Sequence, residues 1–223
     1  MHKWSVFSEF DDASKAAADF IAERIEDSIR KRGVCHVILP GGNTPSRCLA
    51  YLASKKLPWN QVHWYPGDER CYPAGHAERN DVMLEMNLWS KIAVTHIHRI
   101  PAEFGAEKAA SDYGEIISTV GIFDIAFLGM GEDGHTASLF PDNEALHDPR
   151  PVVPVHNSPK PPPDRVSFGM DTLRKASCRI VLTGGSEKSD VIAQIKEGKL
   201  LPINCLGDIH WYVDEAAVKL FAP

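Results

Sequence analysis

The sequence predicts an α/β fold: a single doubly wound, mainly parallel sheet flanked by helices, Rossmann-like, with residues 1–223 as one domain. Three observations predict it. Short apolar runs alternate with amphipathic helical stretches along the whole chain, with no internal repeat. The runs lack the polar alternation of half-exposed strands, as strands buried on both faces do. Four of them end in polar or glycine-rich turns, GGNTP, GDER, GMGEDGH and TGGSEK, and in an open parallel sheet such carboxyl ends share one edge.

Trp4–Phe7 reads as the first strand. Asp11 or Asp12 is expected to cap a helix over Ala13–Arg32, with Ala13, Ala17, Phe20, Ile21, Ile25 and Ile29 on one face and Gly33 as its stop. Cys35–Pro40 is a buried strand running into Gly41-Gly42-Asn43-Thr44-Pro45, and a helix follows to about Ser54. The free N–H groups of such a helix start form an anion site, with Gly41 and Gly42 allowing close backbone approach and Asn43 or Thr44 adding a donor. A plain structural turn is the alternative. The G-K-[ST] ending of a nucleotide-binding loop is missing.

Val62–Tyr65 is the third strand and leads to Asp68-Glu69-Arg70. Arg70 offers a planar fork to a phosphate, with Asp68 and Glu69 orienting it or touching sugar hydroxyls; an ordinary surface loop is the other reading. Asn80 or Asp81 is expected to cap a helix through about Trp89. His96 and His98 would share one face of a strand, and without a third ligand no metal site is expected. Phe104–Val120 is a further amphipathic helix, with Tyr113, Ile116, Ile117 and Val120 inward and Gly121 as its stop.

Phe123–Pro141, FDIAFLGMGEDGHTASLFP, holds the candidate chemistry: a buried strand, a glycine turn, then Glu132, Asp133 and His135. Gly129, Gly131 and Gly134 spell a dinucleotide fingerprint, but the following segment meets Pro141 within two turns, so no nicotinamide cofactor is expected. Prolines then recur from Pro149 to Pro163, and Ser158–Arg165 (SPKPPPDR) reads as an ordered loop holding Lys160 and Arg165 over a site. Cys178–Leu182 is a strand ending at Thr183-Gly184-Gly185-Ser186-Glu187-Lys188, with Ser186 as the expected cap of a helix to about Lys196. An anion between Lys188 and that helix start would offset the unfavourable dipole. His210–Val213 and a short helix from Asp214 close the chain.

The net charge of -6, without a Lys/Arg block, argues against nucleic-acid binding. Five scattered cysteines, Cys35, Cys48, Cys71, Cys178 and Cys205, form no C-x-x-C pair and suit reduced thiols in a cytoplasmic protein. The start lacks the apolar core of a signal peptide, and no apolar stretch approaches the ~18 residues of a membrane span.

Gly41–Pro45, Asp68–Arg70, Asn80, Gly129–Pro141, Ser158–Arg165, Gly184–Lys188 and His210–Ala217, in this order, resemble the 6-phosphogluconolactonase family, which is related to the glucosamine-6-phosphate deaminases. GMGEDGHTASLFP is the most specific element, and Arg70 with Thr136–Pro141 falls on the lactonase side of the resemblance. Asn43 stands where the family usually has Ser, and Arg79 precedes Asn80 where Ser is common. The resemblance implies hydrolysis of 6-phospho-D-glucono-1,5-lactone to 6-phosphogluconate in the oxidative pentose phosphate pathway, without metal or other cofactor. On that reading His135 is the general base and Asp133 or Glu132 orients it. The phosphate would sit on Gly42–Thr44, Arg70 and Lys188, with Arg165 or Lys160 adding charge. The expected partner is a small sugar-phosphate lactone, with no nucleic acid and no membrane, and the chain is expected to be a monomer or a weak homo-oligomer. An amino-sugar-phosphate isomerase or deaminase, with Asp68 moving a proton at carbon, and a non-catalytic sugar-phosphate sensor are the alternatives.

Overall fold

The computed structural model describes residues 2–218. In chain order the regular elements are β1 (Lys3–Phe7), α1 (Phe10–Arg32), β2 (Cys35–Leu39), α2 (Ser46–Ala53), β3 (Val62–Pro66), β4 (Asp68–Arg70), α3 (Asn80–Asn87), β5 (His96–Ile97), α4 (Ala106–Ser118), β6 (Ile125–Leu128), β7 (Val152–Val155), β8 (Arg165–Phe168), α5 (Met170–Lys175), β9 (Cys178–Thr183), α6 (Ser189–Lys196), β10 (His210–Asp214) and α7 (Glu215–Val218).

Seven strands form a wholly parallel sheet in the order β1-β10-β9-β6-β2-β3-β5. After β2 the chain steps outward to β3 and β5, then returns to β6 on the other side of β2 and steps the opposite way to β9 and β10. The β2/β6 junction is therefore the topological switch point, where open α/β sheets leave a crevice at the strand ends. Alternate side chains enter two separate apolar layers: Val37, Trp64, Ile125, Phe127 and Ile180 face α1 and α2, while Ile38, Tyr65, Ala126, Leu128 and Val181 face α4 and α6. Burial on both faces explains the continuous apolar runs.

The second sheet, antiparallel β4-β8-β7, was not foreseen. Asp68–Arg70 is a strand paired to Arg165–Ser167, so these residues are an inner wall and not a surface loop. It branches from the main sheet at Gly67, whose N–H donates to Leu39 O and whose carbonyl accepts from Phe168 N, both at 2.8 Å.

Several helix ends differ from expectation. The helix α1 begins before Asp11 and Asp12, with Glu9 at the N-cap position, because the Asp11 carboxylate is engaged by Arg47 and Tyr51 of α2. Neither Asn80 nor Asp81 caps α3; their own N–H groups donate to Glu69 of β4, at 2.7 and 2.9 Å. A single 3-10 turn, Ser186–Lys188, precedes α6, which removes Ser186 from the cap position. Ile116 of α4 is exposed, at 41%, and α4 stops at Ser118 before reaching Gly121. Asp214 does start α7: its Oδ1 accepts from Ala217 N at 2.9 Å.

His96 and His98 belong to a four-imidazole cluster, although β5 ends at Ile97. His63 stacks on His96 with centroids 4.2 Å apart, and its Nδ1 lies 3.0 Å from His98 Nε2. His36 Nδ1 and the Tyr65 hydroxyl are 3.0 Å apart. Burial first, then repulsion from neighbouring imidazoles, pushes His36 and His98 down to about 4. Among the described residues no three His, Cys, Asp or Glu side chains are grouped to hold a metal ion.

In the unfolded chain these imidazoles titrate near 6.5, so between about pH 6.5 and 4 the unfolded state binds more protons. Their stabilisation is complete above that window and is lost as pH falls through it. Urea unfolding should show a loss of about 2 kcal/mol between pH 7.5 and 5, half the unscreened linkage value because both rings keep solvent contact. The double substitution His36→Gln/His98→Gln should flatten that slope, and an equally steep slope in the double variant would contradict the assignment.

Candidate active site

The site is built on the carboxyl ends of strands β2, β3, β6 and β9. Beyond β6, the Gly129–Ser138 turn folds back on itself: Gly131 N–H donates to His135 O at 2.9 Å and Thr136 Oγ1 to Gly129 O at 3.0 Å. This aims His135 across the turn. Its Nδ1 lies 2.5 Å from Asp133 Oδ1, which also accepts the His135 backbone N–H at 3.1 Å. The pair lies directly over Gly131, where a Cβ would come within 2.0 Å of the imidazole and 2.7 Å of the carboxylate. Glycine is required there for close approach. Burial raises the Asp133 carboxyl, but the hydrogen bond and charge of His135 overcome it and hold the group at about 2. The other face of the ring packs on Phe140, centroids 4.4 Å apart.

Beyond β2, Gly41 and Gly42 lead into α2, whose N-cap is Pro45. The Asn80 carboxamide rests on Gly41, and a Cβ there would lie 2.2 Å from Asn80 Oδ1. Asn80 Nδ2 donates to Asp68 O at 2.9 Å and Asp68 Oδ1 at 3.1 Å, while Ser138 Oγ donates to Asp68 Oδ2 at 2.5 Å. Asn80 is 2% exposed and its Oδ1 has no hydrogen-bond partner.

These segments enclose a cavity of about 240 Å³. Its lining includes Gly41, Gly42, Thr44, Asp68, Arg70, His135, Lys160, Arg165 and Lys188, so most of the sequence-predicted residues converge on one space. Arg70 donates Nη1–H to Glu78 O at 2.5 Å, and its Nε is buried without a hydrogen-bond partner. Arg70 is partly buried and lines the cavity, where its guanidinium is a charged donor for an anion.

Four groups expected at the site do not line this cavity. Glu69 lies outside the cavity and is 0% exposed; it accepts the N–H groups of Arg70, Asn80 and Asp81, which makes it a strut between β4 and α3. Glu132 is exposed and does not line the cavity, and the carboxylate in contact with His135 is that of Asp133. Asn43 lines a neighbouring cavity with Arg70 and Pro161. The Gly185 N–H is already engaged, donating to both Asp214 oxygens at 3.0 Å, and of this segment Lys188 lines the cavity.

Arg165 is largely spent on its own loop: it donates to Pro162 O at 3.3 Å, Lys160 O at 3.1 Å and Pro161 O at 2.8 Å. Through these bonds it holds the proline segment so that Lys160 lines the cavity. Ser138 and the pocket role of Asn80 escaped the sequence reading. Asn80 was read as a helix cap and as part of the family resemblance, and Ser138 as part of the Thr136–Pro141 run, neither with a side-chain role of its own.

The chain matches the model of the family described as glucosamine-6-phosphate isomerases/6-phosphogluconolactonase over residues 8–211. It is 31% identical to a 6-phosphogluconolactonase of Mycobacterium leprae over 210 residues, covering 86% of this chain and 85% of that protein. Identity to a human 6-phosphogluconolactonase is 32%, covering 97% of this chain and 92% of that one. The crystal structure of a Thermotoga maritima 6-phosphogluconolactonase superposes with a TM-score of 0.89 at 27% identity, covering 96% of this chain and 100% of that one. With this match spanning both glycine turns, β4 and the Asp133–His135 pair, the chain belongs to the glucosamine-6-phosphate isomerase/6-phosphogluconolactonase family.

Proposed function

We propose that the protein hydrolyses 6-phospho-D-glucono-1,5-lactone to 6-phospho-D-gluconate, a step of the oxidative pentose phosphate pathway, with His135 as general base. One observation carries the reading: a carboxylate-oriented imidazole and the side chains of Arg70, Lys160 and Lys188 line the same cavity.

On this reading the imidazole carries its proton on Nδ1, toward Asp133 2.5 Å away, and its Nε2 lone pair takes a substrate water. As the water oxygen adds to lactone C1, Nε2 takes its proton. The C1–O5 bond then breaks, and Nε2–H returns a proton to the ring oxygen. The new carboxylic acid ionises, so each turnover releases one proton. At the other end, the phosphate binds Arg70, Lys160, Lys188 and the start of α2 at Gly42 and Thr44. Holding this remote group places C1 against the base, a contribution of proximity. Asp68, fixed by Asn80 and Ser138, accepts from sugar hydroxyls.

The same reading extends to a single domain over residues 1–223, a monomer or weak homo-oligomer, acting in the cytoplasm on a small molecule without nucleic acid or membrane. All five cysteines are free thiols, which agrees with a reducing compartment. Among the described residues no helix is long and apolar enough to cross a membrane.

His135→Ala should lower kcat by about 10²–10⁴-fold, read as proton release above the spontaneous rate, while calorimetry shows 6-phosphogluconate still bound. Undiminished turnover would remove His135 from the chemistry. Asp133→Asn should lower kcat by about 10-fold or more with little change in KM, because the imidazole loses its fixed tautomer. Arg70→Ala should raise KM for the phosphorylated lactone by about 10-fold and leave hydrolysis of unphosphorylated glucono-1,5-lactone unchanged. Equal losses on both substrates would contradict the phosphate assignment.

A further inference from the structure

Arg79 precedes the pocket residue Asn80, and no step of the hydrolysis uses it. It is 2% exposed. All five of its N–H directions are filled. Its Nε and Nη2 form a fork on Asp81 at 3.1 and 3.2 Å; Nη1 donates to Glu103 Oε2 at 2.8 Å and Tyr72 O at 3.1 Å; Nη2 donates also to Ile100 O at 3.0 Å. Glu69 Oε2 lies 3.9 Å from Nε. One buried cation therefore joins the start of α3, the turn at residues 100–103 and the segment between β4 and α3.

Besides Arg79, the segment is tied to the rest of the chain at its start, where Cys71 N–H donates to Asp164 O at 3.1 Å. Residues 73–78 are exposed, and their backbone bonds are local: His76 N–H to Pro73 O and Arg79 N–H to His76 O, both 3.0 Å. Tyr72 stacks on His76, again within the segment. Yet this segment supplies the Glu78 carbonyl that accepts from Arg70 Nη1 at 2.5 Å, and Arg70 lines the cavity. The chain of contact runs from Arg79 through the segment and Glu78 to Arg70.

We propose that Arg79 is a positioning residue for anion binding: by pinning the segment at residues 71–79 to the protein interior, it fixes the Arg70 guanidinium through the Glu78 carbonyl. The inference rests on the reading of Arg70 as the phosphate ligand. A lysine keeps the charge but cannot form the fork on Asp81 together with the two carbonyl bonds. Charge alone therefore does not perform this role.

The test compares wild type, Arg79→Lys, Glu103→Ala, Arg70→Ala and the Arg79→Lys/Arg70→Ala pair. Calorimetry gives Kd for inorganic phosphate and 6-phosphogluconate, and lactone turnover gives KM and kcat. Arg79→Lys should raise both Kd values and KM by about tenfold, with kcat within about twofold, and should have no further effect once Arg70 is alanine. Glu103→Ala, which removes one Arg79 partner at a partly exposed position, should shift Kd in the same direction and guards against misfolding of the lysine variant. Kd values at the wild-type level in both single variants, or effects of Arg79→Lys and Arg70→Ala that multiply, would overturn the inference. Because the Kd values are read without turnover, this inference and the lactonase reading fail separately: independence of Arg79 and Arg70 defeats the first, and absent wild-type turnover the second.

Discussion

Two adjacent carboxylates on a three-residue strand organise this protein. Asp68 is 5% exposed and Glu69 0%, so both must be satisfied inside the fold or cost several kcal/mol. Glu69 accepts three backbone N–H groups, two of them from the first turn of α3, and thereby caps a helix from outside its own sequence. Asp68 gathers the Asn80 amide and the Ser138 hydroxyl. Three chain segments far apart in sequence are tied together at the mouth of the β2/β6 crevice. The cavity wall is a consequence of that satisfaction.

The other wall follows from a backbone that permits close approach. Only a glycine at 131 lets the Asp133–His135 pair lie across the turn, and only a glycine at 41 lets the Asn80 carboxamide lie against β2. The two contacts set the ends of the cavity: an oriented base beyond β6, and cationic and backbone donors beyond β2 and β4. The parallel sheet holds these ends at a fixed separation, since β2 and β6 are hydrogen-bonded neighbours. A substrate with an anion at one terminus and a reactive carbonyl at the other fits that arrangement.

The parallel sheet was legible because burial on both faces leaves unbroken apolar runs, and the glycine turns marked their carboxyl ends. The Asp133–His135 pair was legible because its partners are two residues apart. What remained hidden depends on contacts remote in sequence. Asp68–Arg70 pairs with Arg165–Ser167, and a three-residue strand has no periodicity to reveal it. Glu69 read as a group orienting the site or as part of a surface loop, because the N–H groups that bury it belong to Asn80 and Asp81. The Gly184-Gly185 turn resembled an anion site, yet Asp214, some thirty residues on, already occupies its N–H. Arg79 stood out only as an odd residue in a familiar run; its five bonds show why a cation is held there.

The central claim is directional: the anion at Arg70, the reacting carbon at His135. A crystal structure with 6-phosphogluconate bound tests it most directly. The account predicts a phosphate oxygen accepting from the Arg70 guanidinium and the C1 carboxylate within about 3.5 Å of His135 Nε2. A product bound in the reverse sense, with its phosphate on His135, or bound outside this cavity, would contradict it.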